Sequence, residues 1–264
     1  MTNFTILTGA CGGLGKAFSK ELLSRGENLI ITGTNLEKTQ KWANELKKEY
    51  ENLQILAFEL NLAEGKSIEK FIKDLSLTGV NVSRLINNAG LIVEGGLMEL
   101  AEEKVYDAIR INCLGTIMLT RKLLEAFNLK EILTTASLAA FYPMPYMSIY
   151  ASTKSFLEKF MVALRRELKP KGIKVSVLCP SGIPTTPAMI DAIKSQGLGG
   201  KITAKSPEFI AKYALNKLAK NKAVIIPGAF NRFTRFISRF ASEKFLAKRV
   251  AKMWEKANKK RTIK

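Results

Sequence analysis

Histidine is absent from the 264-residue chain. That removes Ser-His-Asp arrangements, most zinc sites and any imidazole general base at once. Acid–base chemistry must then come from Tyr, Lys, Asp, Glu or Cys. Cysteine is scarce: Cys11, Cys113 and Cys179 are odd in number, far apart and set among apolar residues. They predict buried free thiols in a reducing cytoplasm, not a disulfide framework. No run reaches the ~18 apolar residues of a membrane span. The first residues pass straight into an apolar strand without a basic leader or cleavage site, which predicts no signal peptide. Acidic residues are few, 23 against 42 Lys/Arg, for a formal charge of +19. From Ala229 to Lys264, 12 Lys/Arg and 2 Glu give +10, so about half of the excess lies in the last 36 residues.

With 47% hydrophobic residues the chain has ample core for one large domain. Apolar β-rich runs at Phe4–Thr8, Asn28–Thr32, Leu53–Phe58, Val82–Ile86, Glu131–Ala136, Ile173–Leu178 and Ala223–Ile226 predict about seven buried strands. Helix-period apolar faces lie between them at Gly13–Arg25, Leu36–Tyr50, Ser67–Leu75, Met98–Phe127, Tyr150–Leu168 and Pro207–Ala219. Such alternation implies an α/β fold, a parallel sheet covered by helices on both faces. No repeat or low-complexity linker divides residues 1–228, so a single domain is expected there, with a basic helical extension over 229–264.

After the first strand comes Thr8-Gly9-Ala10-Cys11-Gly12-Gly13-Leu14-Gly15, and then a helix. Glycines there let the backbone approach a pyrophosphate, and the helix N-terminus supplies free N–H groups. The bland alternative is a tight turn, but the strand–loop–helix position favours a dinucleotide. Further on, Tyr150-Ala151-Ser152-Thr153-Lys154 sets a phenol and an ammonium on one face of a helix. A fixed cation should lower a phenol's pKa and make it a usable acid/base. Taken alone, such a pair is usually accidental.

The loop spacing T-G-x-x-x-G-x-G resembles that of the short-chain dehydrogenase/reductase superfamily, in its Tyr-x-x-x-Lys branch. Other motifs follow in that family's order: Asn87-Asn88-Ala89-Gly90, Asn112 in a long helix, Ser137 thirteen residues before Tyr150, and Cys179-Pro180-Ser181-Gly182. The resemblance covers roughly residues 1–228. It implies a Rossmann-type doubly wound parallel sheet and a nicotinamide-dependent oxidoreductase working on a C=O/CH–OH pair, assembled as a homodimer or homotetramer. It also implies the catalytic set Ser137, Tyr150, Lys154 and Asn112. Ser137 and Tyr150 would hydrogen-bond the carbonyl oxygen, and Tyr150 would carry the proton. Lys154 would tune Tyr150 and bind the ribose, while Asn112 would hold a relay water. Read singly, Ser137 could be a strand-end cap and Asn112 a helix-bend residue.

Cofactor contacts are expected from Gly9, Cys11, Gly12, Gly13, Leu14, Gly15, Thr34, Asn35, Asn61, Leu62, Asn88, Ala89, Gly90, Tyr150, Lys154, Pro180, Ile183 and Thr185 (or Thr186). The second strand ends Ile31-Thr32-Gly33-Thr34-Asn35, without the acid an NAD enzyme places on the ribose. The family's usual NADP arginine and the basic residue at the Gly12 position are missing too. The absent carboxylate, with Thr34, Asn35 and Lys38 near, favours NADP, with NAD the alternative. Asn61-Leu62 replaces the family's Asp–hydrophobic pair beside adenine.

Residues 183–206 form a long connection, expected to be a lid. With Leu91-Ile92-Val93 and Phe141–Met147 it predicts an apolar pocket for a bulky hydrophobic ketone or alcohol, steroid-, bile-acid- or acyl-like, the bland alternative being that these residues pack the lid on the core. Phe230, Phe233, Phe236, Ile237 and Phe240 recur at helical spacing among Arg232, Arg235 and Arg239. A second basic helix follows, with Ser242 as N-cap and Phe245, Leu246, Val250, Met253 and Trp254 on one face. These stripes could pack on the enzyme or a second subunit, or lie on an anionic membrane at its periphery. No nucleic-acid module is present. The competing functional readings are a non-catalytic dinucleotide sensor or scaffold, and a peripheral membrane protein.

Overall fold

The computed structural model describes residues 3–195 and 197–262. Its centre is a seven-stranded parallel sheet in the order β3-β2-β1-β4-β5-β6-β7. The strands are β1 (Asn3–Thr8), β2 (Asn28–Gly33), β3 (Ile55–Glu59), β4 (Asn81–Asn87), β5 (Glu131–Thr135), β6 (Lys174–Leu178) and β7 (Val224–Ile225). Period-2 alternation sends Ile6 and Ile30 to one face and Leu7, Leu29 and Ile31 to the other. Helices α1 (Gly13–Ser24) and α2 (Leu36–Glu49) cover the second face through Phe18, Leu22, Trp42 and Leu46. Helix α3 (Gly65–Leu77) covers the first through Ile68, Phe71 and Leu75. Each fully buried Leu, Ile or Phe of this kind contributes about 1.5–3 kcal/mol. Strand order reverses between β1 and β4, which opens a crevice at their C-terminal ends.

The long helix expected over Met98–Phe127 is broken. It consists of α4 (Glu102–Ile109), a π-helical turn over Arg110–Gly115 and α5 (Thr116–Ala126). A Cβ on Gly115 would lie 2.1 Å from the Leu62 carbonyl oxygen, so only glycine lets this turn close on the loop after β3. Helix α6 (Ser148–Leu168) then packs Leu157, Met161 and Leu164 onto the face that α3 covers. The expected 183–206 connection also differs. It contains α7 (Pro187–Ser195) and α8 (Gly197–Thr203) before α9 (Pro207–Ala219), whose Ile210, Ala214 and Leu218 join α1 and α2. Beyond β7 come α10 (Ala229–Ser238) and α11 (Glu243–Thr262), the latter capped by Ser242 Oγ accepting from Phe245 N–H at 3.3 Å, as the sequence predicts.

An ion cluster closes the opposite end of the sheet. Arg84 on β4 pairs with Glu27 and, at 2.6 Å, with Glu131, which also accepts from Lys174 Nζ at 3.1 Å. Burial alone would raise the Glu131 carboxyl; Arg84 and Lys174 outweigh it and hold the group below the usual carboxylate range. That contribution is complete above the unfolded carboxylate pKa and is lost as pH falls through the folded one. Arg84→Met should therefore lower stability by about 2–3 kcal/mol near pH 7, and by less in acid. Urea midpoints at two pH values check this, and equal losses at both would remove the ionic account.

Candidate active site

At the crevice, β1 ends on Thr8, whose hydroxyl accepts from the N–H groups of Asn88 and Ala89 at 2.9 and 3.0 Å. Asn88 returns the contact, its Nδ2 donating to the Thr8 and Gly9 carbonyls. Gly9 has φ +64°, and a Cβ on it would meet Ala89 Cα at 2.9 Å. The glycine loop and the Asn88-Ala89-Gly90 strand end are thus locked together. Gly12 precedes α1 without any side-chain cap, leaving first-turn N–H groups open to an anion.

The crevice has a cavity volume of about 580 Å³. Every expected cofactor residue lines it except Gly13, which is covered by the Thr185 side chain, 2.3 Å from where a Gly13 Cβ would stand. Thr185 lines the wall, while Thr186 instead caps α7, accepting from Met189 N–H. Thr34, Asn35 and Lys38 mark the far end, and no carboxylate lines any part of the crevice among the described residues. Asn35 Oδ1 is taken up capping α2, accepting from Lys38 N–H at 2.7 Å. The Asn61 carboxamide bonds Glu64 and Ala63 N–H, so its first role is to shape the loop into α3. An uncapped helix N-terminus, glycines that leave room for a ligand backbone and the lack of any repelling acid suit a dinucleotide diphosphate.

Ser137, Tyr150 and Lys154 share the other end of this crevice with Gly90, Leu91 and Ile92. Ser137 both faces the crevice and caps the 3-10 turn after β5, its Oγ accepting from Ala139 N–H at 3.1 Å. Tyr150 is half-buried at the start of α6. The expectation that Lys154 lowers the Tyr150 pKa is not met. Burial pushes the phenol above its ordinary value, and the Ser137 hydroxyl draws it part of the way back. The Lys154 ammonium, 4% exposed, donates to the Thr135 carbonyl at 3.0 Å and sits 5.8 Å from the Tyr150 ring centre. Burial brings Lys154 itself down to about 8.

Asn112 is fully buried within the π turn and does not line the crevice. Its Oδ1 accepts from Leu91 N–H and its Nδ2 donates to the Leu91 carbonyl, both at 2.8 Å, and Nδ2 also donates to Thr153 Oγ1. With its carboxamide bonded there, Asn112 positions the Gly90-Leu91 segment. The residues missed by sequence are Thr153, which steers Asn112, the Thr135 carbonyl, which holds Lys154, and the wall residue Ile111. Thr153 sits inside the pentapeptide and could have been found there. A backbone acceptor such as Thr135 leaves no sequence signal.

The expected apolar pocket is divided. Leu91, Ile92, Ile183 and Met189 line the crevice, and Val93 is buried. Phe141, Tyr142, Pro143, Met144 and Pro145 instead line a second cleft of about 780 Å³, between the outer face of α6 and the tail helices. Trp254 of α11 stacks on Tyr146 at 6.0 Å, so that helix does pack on the enzyme. Of the three thiols only Cys179 is buried; Cys11 and Cys113 are half-buried, Cys11 because it stands in the glycine loop.

Three comparisons bear on this geometry. The curated relatives include very-long-chain 3-oxoacyl-CoA reductases of Phaeosphaeria nodorum, 29% identical over 224 residues, and of Podospora anserina, 27% identical over 234. These matches take in 83% and 86% of this chain but only 64% and 66% of those relatives' lengths. Among solved structures, one from a study of 7beta-hydroxysteroid dehydrogenase stereoselectivity superposes with a TM-score of 0.84 at 20% identity, covering 94% of this chain and 96% of the other. A short-chain dehydrogenase from Sphingobium yanoikuyae in complex with NADPH gives 0.75 at 22% identity, covering 90% and 93%. Residues 3–196 match the family model described as short chain dehydrogenase, and the chain belongs to that family.

Proposed function

We propose that the chain reduces a hydrophobic ketone with NADPH, and that the ketone is borne on an acyl chain. The observation that carries this is the placement of Tyr150 and Ser137 at one end of a crevice whose other end holds Lys38 and no carboxylate. A bound nicotinamide would supply the hydride. The diphosphate would be held by the glycine loop and the N-terminus of α1, the ribose by Lys154, and the 2′-phosphate by Thr34, Asn35 and Lys38. Ser137 and Tyr150 hold the carbonyl oxygen, and Tyr150 gives it a proton. A phenol pushed up by burial stays protonated at neutral pH, which suits the reductive direction.

Leu91, Ile92, Ile183 and Met189 provide the apolar wall. The acyl assignment draws on the 3-oxoacyl-CoA reductases among the relatives. The steroid alternative draws on the 7beta-hydroxysteroid dehydrogenase study, whose likeness to this chain is one of fold. The test follows absorbance of the reduced cofactor with long-chain 3-oxoacyl thioesters and with bulky steroid ketones, using NADPH and NADH in parallel. Turnover of the thioester with NADPH, at least about tenfold better in kcat/KM than with NADH, is expected. Turnover of the steroids alone would move the substrate assignment, and preference for NADH would overturn the cofactor assignment.

A further inference from the structure

Helix α10 docks on the protein through its polar side. Asn231 is 1% exposed, and its Nδ2 lies 2.8 Å from Pro227 O, 3.0 Å from Thr203 O and 3.1 Å from Ser181 Oγ, with two N–H groups to share among them. The apolar side faces outward. Phe230, Phe233, Phe236 and Ile237 are 44–60% exposed, and Phe240, just past the helix end, is 79% exposed. At about 100° per residue these five fall within about a third of the circumference. Phe236 and Phe240 meet edge-to-face at 5.5 Å, so the stripe is continuous. A contiguous patch of large apolar side chains left in water marks a surface that something else covers.

The charge around the stripe selects the occupant. Arg232 and Arg239 line one edge of it, both exposed, and Lys244, Lys248, Arg249 and Lys252 follow on α11. A second copy related by a two-fold axis would set this basic face against itself, bringing like charges together. An anionic lipid surface matches both features. We propose that α10 lies in the plane of such a surface, with its phenylalanines among the acyl chains and its arginines at the phosphate level.

Helix α8, which packs against α10, also exposes Leu198 and Ile202, at 78% and 47%. Asn231 ties α10 to Ser181 in the crevice wall. The lipid-facing helix therefore adjoins the roof of the active-site crevice. Resting on the reading of a hydrophobic substrate, this arrangement lets the substrate enter from the bilayer.

The test uses the full chain and vesicles of phosphatidylcholine with or without phosphatidylserine, read by co-sedimentation, alongside a Phe233→Ser/Phe236→Ser variant. Both replaced side chains are exposed, so thermal melting of the variant should match that of wild type. Wild type should pellet with phosphatidylserine vesicles, and the variant should bind them at least about tenfold more weakly. Wild type remaining in the supernatant, or the variant pelleting equally, would overturn the proposal. So would a wild-type dimer that the variant reduces to a monomer without any vesicle binding, since that assigns the stripe to a second copy. Vesicle binding requires no turnover, so this result stands apart from the substrate assignment.

Discussion

Tyr150→Phe should lower ketone reduction by about 10³-fold while leaving NADPH affinity unchanged. The substitution removes one oxygen and keeps the ring that fills this half-buried position. Ser137 stays in place because Ala139 N–H holds its hydroxyl, so the carbonyl keeps one of its two donors. What disappears is the hydroxyl assigned to protonate the nascent alkoxide. The pH profile gives a second reading. The phenol lies above its ordinary value, so it remains the acid across the neutral range. Lys154, brought down to about 8, loses its charge as pH rises through that value. Wild-type kcat/KM for reduction should therefore be level below pH about 8 and fall above it, and the variant, which keeps Lys154, should show the same limb at its much lower rate. Unchanged turnover in Tyr150→Phe, measured by loss of reduced-cofactor absorbance, would end the catalytic assignment.

Gly15→Val should abolish measurable NADPH binding, by about 100-fold or more, and destabilise the fold by about 3 kcal/mol. A Cβ at position 15 would stand 2.2 Å from the Gly9 carbonyl oxygen and 2.8 Å from Ala10 Cα. Both obstacles are backbone, so no rotamer change relieves the clash. The loop would have to leave Asn88, whose Nδ2 holds the Gly9 carbonyl, and the N–H groups at the start of α1 would move with it. Gly12 offers a control, since its Cβ would meet only Gly9 O, at 3.5 Å. Gly12→Ala should fold with near wild-type stability. Cofactor titration against intrinsic fluorescence, with urea unfolding of both variants, checks the pair. Tight binding by Gly15→Val would show that the loop is not the dinucleotide site.

Much of the site was legible because its parts recur at motif spacings: the glycine loop, Asn88–Gly90, Ser137, and the Tyr150–Lys154 pair on one helical face. The strands were legible because a sheet buried on both faces needs near-continuous apolar runs. The break at Arg110–Gly115 was not, since a one-residue widening of a helix leaves its apolar periodicity almost intact. The approach of Leu62 O to Gly115 that goes with it joins positions 53 residues apart in sequence. Helices α7 and α8 were hidden by Pro184, Pro187 and the glycines around Leu198, which read locally as loop.

Chain order and residue chemistry determined the family, the parallel sheet and the absence of any imidazole chemistry, because these depend on composition and local spacing. Directions had to come from the tertiary structure. The Thr135 carbonyl holds the Lys154 ammonium 5.8 Å from the Tyr150 ring centre, Leu91 occupies the Asn112 carboxamide, and burial raises the phenol while lowering the ammonium. The same holds for the tail. Its amphipathic pattern was plain in the sequence, but only the seat of Asn231 among Ser181, Thr203 and Pro227 decides that the phenylalanines face outward. A helix has two faces, and which one is buried depends on the partners it meets.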